Sequence, residues 1–350
     1  MYPSKKLIIR PTFLASVLAV FVAPASALEP EPDALFVRVV DVGAGLCCVA
    51  VLPDGKYAIY DAGDYKDNGA LTFAKINEIV RKGSEIDLLV LSHSDADHLG
   101  AVKEICDAYT VKKIVHPGID RNPDTATWKK AKSAIENERE NDDCEVIDLH
   151  EADLPIGESL EVGEGTFTWV FGLSEPSEEW IDLYKLKSKG ERMNVGSIVV
   201  KLSFAERNLL FCGDSVGRHI RDDDDVCIAA EKAMVDNAST VPLQADIVIA
   251  PHHGADNGSS ADFIEAVSPT YVIFSAGHAH EHPRSATAQR YIDAGVSRAN
   301  MFRTDWGDNE GEDEWNYGHS DEDDEPGDDD VDIVIRKDGQ VLVEYRDPNH

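Results

Sequence analysis

The sequence is poor in basic residues relative to its acidic ones. Lys and Arg total 33 of 350 residues, whereas Asp and Glu total 66, which gives a formal net charge of -33. A surface of this charge repels nucleic acid and anionic membranes at long range. The composition therefore disfavours a general polyanion-binding protein, although a local basic patch such as residues 184–192 (YKLKSKGER) remains compatible with it.

Long apolar runs are also scarce. The longest covers residues 13–23, and its 11 residues fall short of the roughly 20 needed to span a bilayer. Basic residues precede it within residues 5–10, and the small residues 25–27 (Ala-Ser-Ala) follow it, as in a secretory signal peptide. We therefore predict that residues 1–27 are a signal peptide. The mature protein is expected to be soluble, secreted or periplasmic, and not stably inserted in a membrane.

Cysteines number six, and they form no CxxC pair and no regular disulfide framework. Cys47 and Cys48 are adjacent in a predicted strand, so their side chains should point to opposite faces of the sheet. Cys212 lies within an apolar strand and is expected to be a small buried residue. The spacing leaves any disulfide pairing undecided.

Strand-like and helix-like segments alternate from residue 35 onward, without an internal repeat. Short apolar segments predict strands at LFVRVVDVG, CCVAVL, YAIYDAG, IDLLVLS, VKKIVHPG, SIVVKLSF, RNLLFCGD, ADIVIAP and TYVIFSAG. Amphipathic spacing predicts helices at 70–82, 99–109, 125–141, SADFIEAV and SATAQRYIDAG. This mixture predicts a mixed α/β protein in which outer helices cover two sheets, with residues 28–350 forming a single domain.

The C-terminal part contains an acidic run and then two strand-like segments. Residues 305–332 hold 15 acidic residues and no Lys or Arg, which predicts a solvated or disordered loop. The run lacks the ligand pattern of an EF-hand, so calcium binding is only weakly indicated. The segments VDIVIR and QVLVEY predict a closing hairpin that turns at Asp338-Gly339.

The strongest chemical signal is the segment VLSHSDADHLGAV, residues 90–102. It places His93, Asp95, Asp97 and His98 within six residues, directly after an apolar strand. A tight turn there would bring four polar side chains into one small volume, where they would repel one another or be poorly solvated without a cation. The motif therefore predicts a divalent metal site.

Further candidate ligands also stand at strand ends. Asp61 ends the strand YAIYDAG, Asp214 ends RNLLFCGD, and His252 and His253 follow ADIVIAP. Each alone is a weak signal, because an Asp near Gly is usually a turn residue. Four strand-end sites in one chain together favour a shared functional centre.

The pattern of these motifs resembles the metallo-β-lactamase superfamily and, within it, the extracellular hydrolase domain of ComEC-type competence proteins. The matching segments are DVGAG (41–45), YDAG (60–63), SHSDADH (92–98), NVGS (194–197), FCGDS (211–215), APHHGA (250–255) and EHP (281–283). The HxDxDH form, with Asp where most of the superfamily has a second His, is the feature typical of the ComEC-like branch. The resemblance implies a four-layer αββα sandwich with two metals at the top of its sheets.

The resemblance also implies a role for each matching residue. His93 and Asp95 would bind one metal, Asp97 and His98 the other, and Asp214 both. One of His252 and His253 would complete the second site, and the sequence does not decide which. The remaining assignments are a positioning role for Asp61, a weak ligand or none at Asn194 in place of a third histidine, and a substrate contact or an ordinary loop role for His282.

The chemistry expected of such a centre is hydrolysis by a metal-activated water, with two cations about 3.5–4 Å apart and Asp97 as partner for the water's proton. An oxygen-rich ligand set shifts preference toward manganese, with zinc as the alternative. The favoured substrates are phosphodiesters, nucleic acid among them despite the acidic surface, because the ComEC-like resemblance implies nuclease-type chemistry. The alternatives are a small ester, thioester or lactam, or a metal-stabilised binding protein without catalysis. The oligomeric state is left open.

Overall fold

The computed structural model describes residues 32–63, 69–118, 125–140, 144–220, 222–223, 226–317 and 329–346. The predicted signal peptide therefore lies outside the described residues. All six cysteines lie within them and are free thiols.

Eight strands of the described residues form the first sheet, in the order β17-β16-β1-β2-β3-β5-β7-β8. Their bounds are β1 Ala34–Val39, β2 Cys47–Val51, β3 Tyr57–Ala62, β5 Leu88–Val90, β7 Lys113–His116, β8 Glu145–Asp148, β16 Val331–Arg336 and β17 Val341–Tyr345. The last two form an antiparallel hairpin where one was predicted, and it pairs with β1. β3, β5, β7 and β8 run parallel to one another.

Seven strands of the described residues form the second sheet, in the order β15-β14-β13-β12-β11-β10-β9. Their bounds are β9 Ser159–Val162, β10 Gly165–Phe171, β11 Val199–Phe204, β12 Arg207–Phe211, β13 Ile247–Ile249, β14 Tyr271–Phe274 and β15 Met301–Arg303. β11 and β12 form a hairpin that turns at Ala205 and Glu206, which both have positive φ. The two short strands β4 Glu85–Ile86 and β6 Thr110–Val111 pair only with each other.

Helices cover the outer face of each sheet. Their bounds are α1 Gly69–Ile79, α2 Val102–Ala108, α3 Ala126–Glu140, α4 Glu178–Leu183, α5 Lys189–Val195, α6 Ala229–Asp236, α7 Ala261–Val267 and α8 Ser285–Asp293. Apolar residues of α1–α3 pack on the first sheet, and those of α6–α8 pack on the second. Within the described residues, no helix combines the length and the hydrophobicity that crossing a membrane requires.

The main core lies between the two sheets and is built from the inward-facing half of each strand. Alternate residues point to opposite faces, so Cys48 belongs to this inner core and Cys47 to the core under the outer helices, as predicted. Strand segments such as Leu88–Val90 are buried on both faces, which explains their unbroken apolar sequence. The order of layers is helix, sheet, sheet, helix. The predicted mixed α/β class and αββα sandwich are therefore confirmed.

The acidic run was predicted as a solvated loop, and this is wrong for much of its described part. Asp305, Asp308 and Asp330 are buried. For two of them the physical reason is compensation by a cation: the Asp330 carboxylate lies 3.1 Å from the Lys75 ammonium, and Arg303 pairs with Asp305. Asp308 instead accepts hydrogen bonds from His278 Nδ1 and the Asn309 N–H. Residues 318–328 of the run lie outside the described residues.

The fold gathers the ends of its parallel strands at one edge. In the first sheet, Asp61 is the penultimate residue of β3, and residues 92–98 lie in the segment that follows β5. In the second sheet, β12, β13, β14 and β15 are parallel, and the loops after them begin at Cys212, Ala250, Ser275 and Thr304. In open α/β sheets, ligands bind outside the carboxyl ends of such strands.

Candidate metal centre

Asp214 stands at the middle of the strand-end cluster, and its two carboxylate oxygens face two different groups of side chains. The residue is 3% exposed. Oδ2 lies 3.6 Å from Nε2 of His93 and 3.5 Å from Nε2 of His252. Oδ1 lies 3.2 Å from Nε2 of His98 and 3.4 Å from Nε2 of His253.

Each group includes a carboxylate of its own. His93 Nε2 lies 3.6 Å from an oxygen of Asp95, which completes the group on the Oδ2 side. Asp97 completes the group on the Oδ1 side, 3.8 Å from His253 Nε2 and 3.9 Å from His98 Nε2. Each group thus contains two imidazoles, one carboxylate of its own and one oxygen of Asp214.

These separations fit donors that surround a metal ion. Ligands held at about 2.0–2.2 Å from a tetrahedral ion lie roughly 3.3–3.6 Å from one another. Four buried atoms in the centre have no hydrogen-bond partner among the described residues: Nε2 of His93, His98 and His253, and Oδ1 of Asp214. Buried polar atoms without partners are costly and rare. The residues present therefore fit a divalent metal on each side of Asp214.

Each of the four histidines is held from behind through Nδ1, so that Nε2 points into the centre. The partners are Asp61 Oδ2 for His98 (2.7 Å), Ser92 Oγ for His93 (3.0 Å), the Ser275 carbonyl for His253 (2.7 Å) and Asn257 Oδ1 for His252 (2.7 Å). Carboxylate, carbonyl and side-chain amide oxygens can only accept. The Ser92 hydroxyl donates its proton to Asp61 Oδ2 and therefore accepts from His93, so Nδ1 donates in all four rings. This fixes the tautomer whose Nε2 lone pair is free for a metal.

Asp61 holds the part of the centre that comes from the first sheet. It is fully buried, and it accepts hydrogen bonds from the Ser92 backbone N–H (2.6 Å) and the Ser92 hydroxyl (2.6 Å) as well as from His98. Its φ of 57° lies in the left-handed region, which few residues other than glycine adopt, although aspartate does so more often than most. Such strain is retained where surrounding contacts over-determine the conformation.

The backbone after β13 explains how two consecutive histidines enter one cavity. His252 has φ 50° and ψ 47°, and His253 has φ 58° and ψ 16°, so both are left-handed. In an extended strand the two side chains would point to opposite faces, but here they face opposite oxygens of the same Asp214 carboxylate. Gly213, which precedes that carboxylate, has φ 51°, and a Cβ there would lie 2.6 Å from the Ser92 Cβ.

The electrostatics of the centre favour an ionised Asp214. Burial opposes its charge, but the neighbouring histidines, His98 foremost, hold the pKa of Asp214 well below its usual value. Burial likewise opposes protonation of His98, but the carboxylates of Asp214 and Asp61 raise the pKa of His98 well above its usual value. A metal ligand must be deprotonated, so the carboxylate is ready to bind and a cation must compete with a proton at His98.

His282 lies at the opening of the centre. Its ring centroid is 6.0 Å from that of His252 and 6.4 Å from that of His253. Burial and the positive fields of its histidine neighbours lower the pKa of His282 to about 2. The ring is therefore neutral near pH 7, and it can exchange hydrogen bonds with a bound molecule without carrying charge.

The centre forms the floor of a cavity of about 680 Å³. Its walls include Asn194 from the last turn of α5, Ala44 from the DVGAG segment, and the loop that carries His280, His282 and Arg284. A cavity of this size is large enough for a small organic molecule or a few units of a polymer.

All ten residues predicted for the centre lie at this cavity or directly behind it. The different positions of the two adjacent histidines are visible only in three dimensions. Sequence reasoning proposed one histidine of the pair for the second metal. The structure places His253 there, and places His252 on the first side, with Nε2 3.2 Å from Asn194 Nδ2. The groups that hold the rings, Ser92, Asn257 and the Ser275 carbonyl, were not predicted. Their only sequence signal is adjacency to the motifs.

Comparisons with known proteins agree with this architecture. Residues 40–176 match the family model described as the metallo-beta-lactamase superfamily. The chain is 26% identical over 292 residues to competence protein ComA of Neisseria gonorrhoeae, which covers 83% of this chain and 33% of that protein. It is 33% identical over 82 residues to recombination protein 2 of Haemophilus influenzae, which covers 23% of this chain and 10% of that protein.

The chain therefore spans a third or less of the length of these two relatives. Among solved structures, the metallo-beta-lactamase fold protein YhfI of Bacillus subtilis is similar at 10% identity and a TM-score of 0.42, covering 77% of this chain and 95% of that one. The predicted resemblance to the metallo-β-lactamase superfamily is confirmed, because residues 40–176 match its family model and a ComA competence protein is similar over 83% of the chain.

Proposed function

We propose that the chain is a two-metal hydrolase that acts on phosphodiesters. The observation that carries the proposal is the position of Asp214, whose two oxygens each face a separate group of two imidazoles and one carboxylate. When bound, two divalent ions would activate a water and stabilise the charge that develops on the attacked oxygen.

The first ion would be bound by His93, Asp95, His252 and Asp214, and the second by Asp97, His98, His253 and Asp214. Asn194 was expected to leave the first ion with one histidine too few, but His252 lies on that side of the centre. The mixture of imidazoles and carboxylates suits manganese as well as zinc. Asp97 lines the cavity with its side chain 31% exposed, so it is placed to accept a proton from the attacking water.

The cavity rim supports an anionic substrate in an otherwise acidic protein. His280, His282 and Arg284 all line it. Neutral His282 can donate a hydrogen bond to a phosphoryl oxygen, and Arg284 adds positive charge that its neighbours Glu281 and Asp313 partly balance. Phosphoryl oxygens are hard donors that can bridge two cations, which fits a carboxylate-rich centre better than a lactam carbonyl does.

A polymer substrate would have to overcome the net negative charge of the protein. The basic stretch 184–192 leads into α5, which begins with a capping box between Ser188 and Glu191 and ends close to Asn194 in the cavity wall. The side chains of Lys185, Lys187 and Lys189 are exposed. We propose that this stretch meets the phosphates of a nucleic acid chain as it enters the cavity.

The alternative is a hydrolase of a small ester, thioester or lactam, whose neutral substrate would not depend on those lysines. A metal-stabilised binding protein without catalysis is the other alternative, and the intact set of ligand-type residues argues against it. Export of the mature chain is part of the proposal and rests on the sequence pattern of residues 1–27 alone.

The test combines metal analysis with turnover of bis(p-nitrophenyl) phosphate, single-stranded DNA and nitrocefin, each with manganese and with zinc. We expect about two metals per chain and faster hydrolysis of phosphodiesters than of nitrocefin. Asp262→Ala, at an exposed position of α7, is the control for Asp214→Ala, which removes an acid from the centre. Nitrocefin turnover without phosphodiester activity under either metal would contradict the proposed substrate class.

The lysine stretch is tested separately. Neutralising Lys185, Lys187 and Lys189 together to Gln should reduce activity on DNA several-fold and leave bis(p-nitrophenyl) phosphate nearly unchanged, because only the polymer reaches beyond the cavity. Equal losses on both substrates would refute the contact with DNA but leave the two-metal hydrolase standing.

A further inference from the structure

A second cluster of acidic side chains lies at the end of β15, outside the centre built on Asp214. It consists of Asp305, Asp308 and Glu314, which we call the β15 acidic cluster. One carboxylate oxygen from each residue lies within 4.8 Å of the others. All three residues are buried, with exposures of 0%, 1% and 4%.

One cation of the described protein reaches this cluster directly. The Arg303 guanidinium donates to Asp305 Oδ1 at 2.5 Å and also to Glu314. Asp308 is the remaining carboxylate of the cluster. Its Oδ1 accepts hydrogen bonds from His278 Nδ1 at 2.9 Å and from the Asn309 N–H at 2.8 Å. Three buried carboxylates thus face a single guanidinium and the ring of His278.

Two atoms in the cluster point to a missing partner. Oδ2 of Asp305 and Oδ2 of Asp308 are buried and accept no hydrogen bond from any group of the described residues. A buried carboxylate oxygen without a donor or cation is strongly unfavourable. The excess of negative charge and the two unpartnered oxygens occur in the same small volume.

We propose that the β15 acidic cluster binds a calcium ion, independently of the metals at Asp214. Calcium prefers oxygen ligands, takes six to eight of them at about 2.3–2.6 Å, and accepts carboxylates and waters in irregular geometry. The cluster offers carboxylate oxygens and lacks the imidazole pairs that characterise the Asp214 centre. Neighbouring Glu310 supplies a further carboxylate at its rim.

The cluster is joined to the wall of the catalytic cavity. Glu310 Oε2 accepts from the Glu281 N–H at 2.6 Å, and the Trp315 N–H donates to the Pro283 carbonyl at 2.8 Å. Both contacts hold the loop that carries His280 and His282. A calcium ion in the cluster would therefore stabilise the position of His282 without touching the substrate.

Protonation of Asp305 is the alternative to a bound calcium ion. Burial raises the pKa of Asp305 to about 6, against the opposing effect of Arg303. A proton on Asp305 would then relieve part of the charge. If protonation of Asp305 alone reduces the negative charge, the cluster will bind no calcium. A measurement of calcium binding therefore distinguishes the two alternatives.

The test uses terbium luminescence, because Tb³⁺ substitutes for Ca²⁺ and tryptophan transfers energy to it. Trp306 and Trp315 are adjacent in sequence to Asp305 and Glu314. All proteins carry Asp214→Asn, so that the catalytic centre does not dominate the signal. We expect a saturable signal that excess Ca²⁺ displaces, and a loss of at least tenfold in Tb³⁺ affinity on Asp308→Asn.

The matched control is Asp313→Asn, an acid of the same segment whose side chain is 82% exposed, and it should change affinity less than twofold. Equal Tb³⁺ affinity in the Asp308→Asn and Asp313→Asn proteins would overturn the proposal. If Asp308→Asn fails to fold, Glu314→Gln takes its place. In addition, Ca²⁺ must then raise the Tm of the Asp214→Asn protein, and an unchanged Tm would also overturn the proposal.

Discussion

At the scale of single residues, the candidate centre depends most on Asp214, because its carboxylate belongs to both ligand groups. Asp214→Ala should abolish hydrolysis and remove most bound metal. Asp61→Ala should lower metal affinity less, by about 10–100-fold, since Asp61 only orients His98 and Ser92. Metal analysis by mass spectrometry checks both. Full metal content and turnover in Asp214→Ala would show that the centre is assigned incorrectly.

The two adjacent histidines should have separable effects. His252 and His253 face opposite oxygens of Asp214, so His252→Ala and His253→Ala should each weaken a different metal site. We expect about one tightly bound metal per chain in each variant, with Asn194→Ala closer to wild type because an amide is a poor ligand. Loss of both metals from one histidine variant and none from the other would contradict this division.

At the scale of elements, glycines set how closely the strand-end loops approach one another. A Cβ on Gly63 would lie 1.7 Å from the Asp97 carbonyl oxygen, within the turn that carries Asp97 and His98. Gly63→Ala should therefore destabilise the protein by about 1–3 kcal/mol or more and reduce metal binding as well. Gly190→Ala is the control, because it lies in α5 facing open space and should be neutral or slightly stabilising. Equal denaturation midpoints for the two variants would argue against the close approach.

His116, at the end of β7, should make the free energy of unfolding depend on pH. His116 is buried, and burial lowers its pKa to about 4, with Asp148 opposing and Arg139 reinforcing the shift. Between about pH 6.5 and pH 4, the folded protein therefore binds fewer protons than the unfolded chain. The contribution of His116 is complete above the unfolded value and is lost as pH falls through this window, by at most roughly 3 kcal/mol.

His116→Asn keeps an acceptor near the Gly118 N–H, which donates to His116 Nδ1 at 3.2 Å, but it removes the titration. Urea unfolding at a series of pH values should show a flatter profile for this variant. An unchanged slope between pH 6.5 and 4 would mean that other groups cause the acid sensitivity.

The sequence predicted those elements whose signals are local. Asp61, Asp214 and the 92–98 segment were found because apolar strands end in polar residues there. The partners behind the histidines were not found, because Asn257 and Ser275 are ordinary loop residues until the fold places them against a ring. The acidic run was misjudged for a related reason. The number of acidic residues in a segment does not indicate which cations the fold places beside them. Here Arg303 is buried beside Asp305, and Lys75 contacts Asp330.

At the scale of the whole molecule, the candidate centre joins the two sheets. His93 and His98 follow a strand of the first sheet, whereas Asp214 and His253 follow strands of the second. Bound metal should therefore stabilise the folded protein by mass action. We expect chelation with EDTA to lower the Tm of the wild type by several degrees and to leave the Tm of Asp214→Ala nearly unchanged. A Tm of the wild type that does not respond to chelation would argue against metals as a link between the sheets.

The hairpin β16–β17 completes the first sheet by pairing β16 with β1, and the ion pair that joins Arg38 to Asp332 spans 294 residues of sequence. During synthesis, β1 is made some 294 residues before its partner strand β16, so its hydrogen-bonding edge stays open until β16 has emerged. A chain that stops early would keep this edge, with its apolar residues, available to other chains. Residues 331–345 thus decide whether the edge of β1 is closed within the sheet or stays open to aggregation.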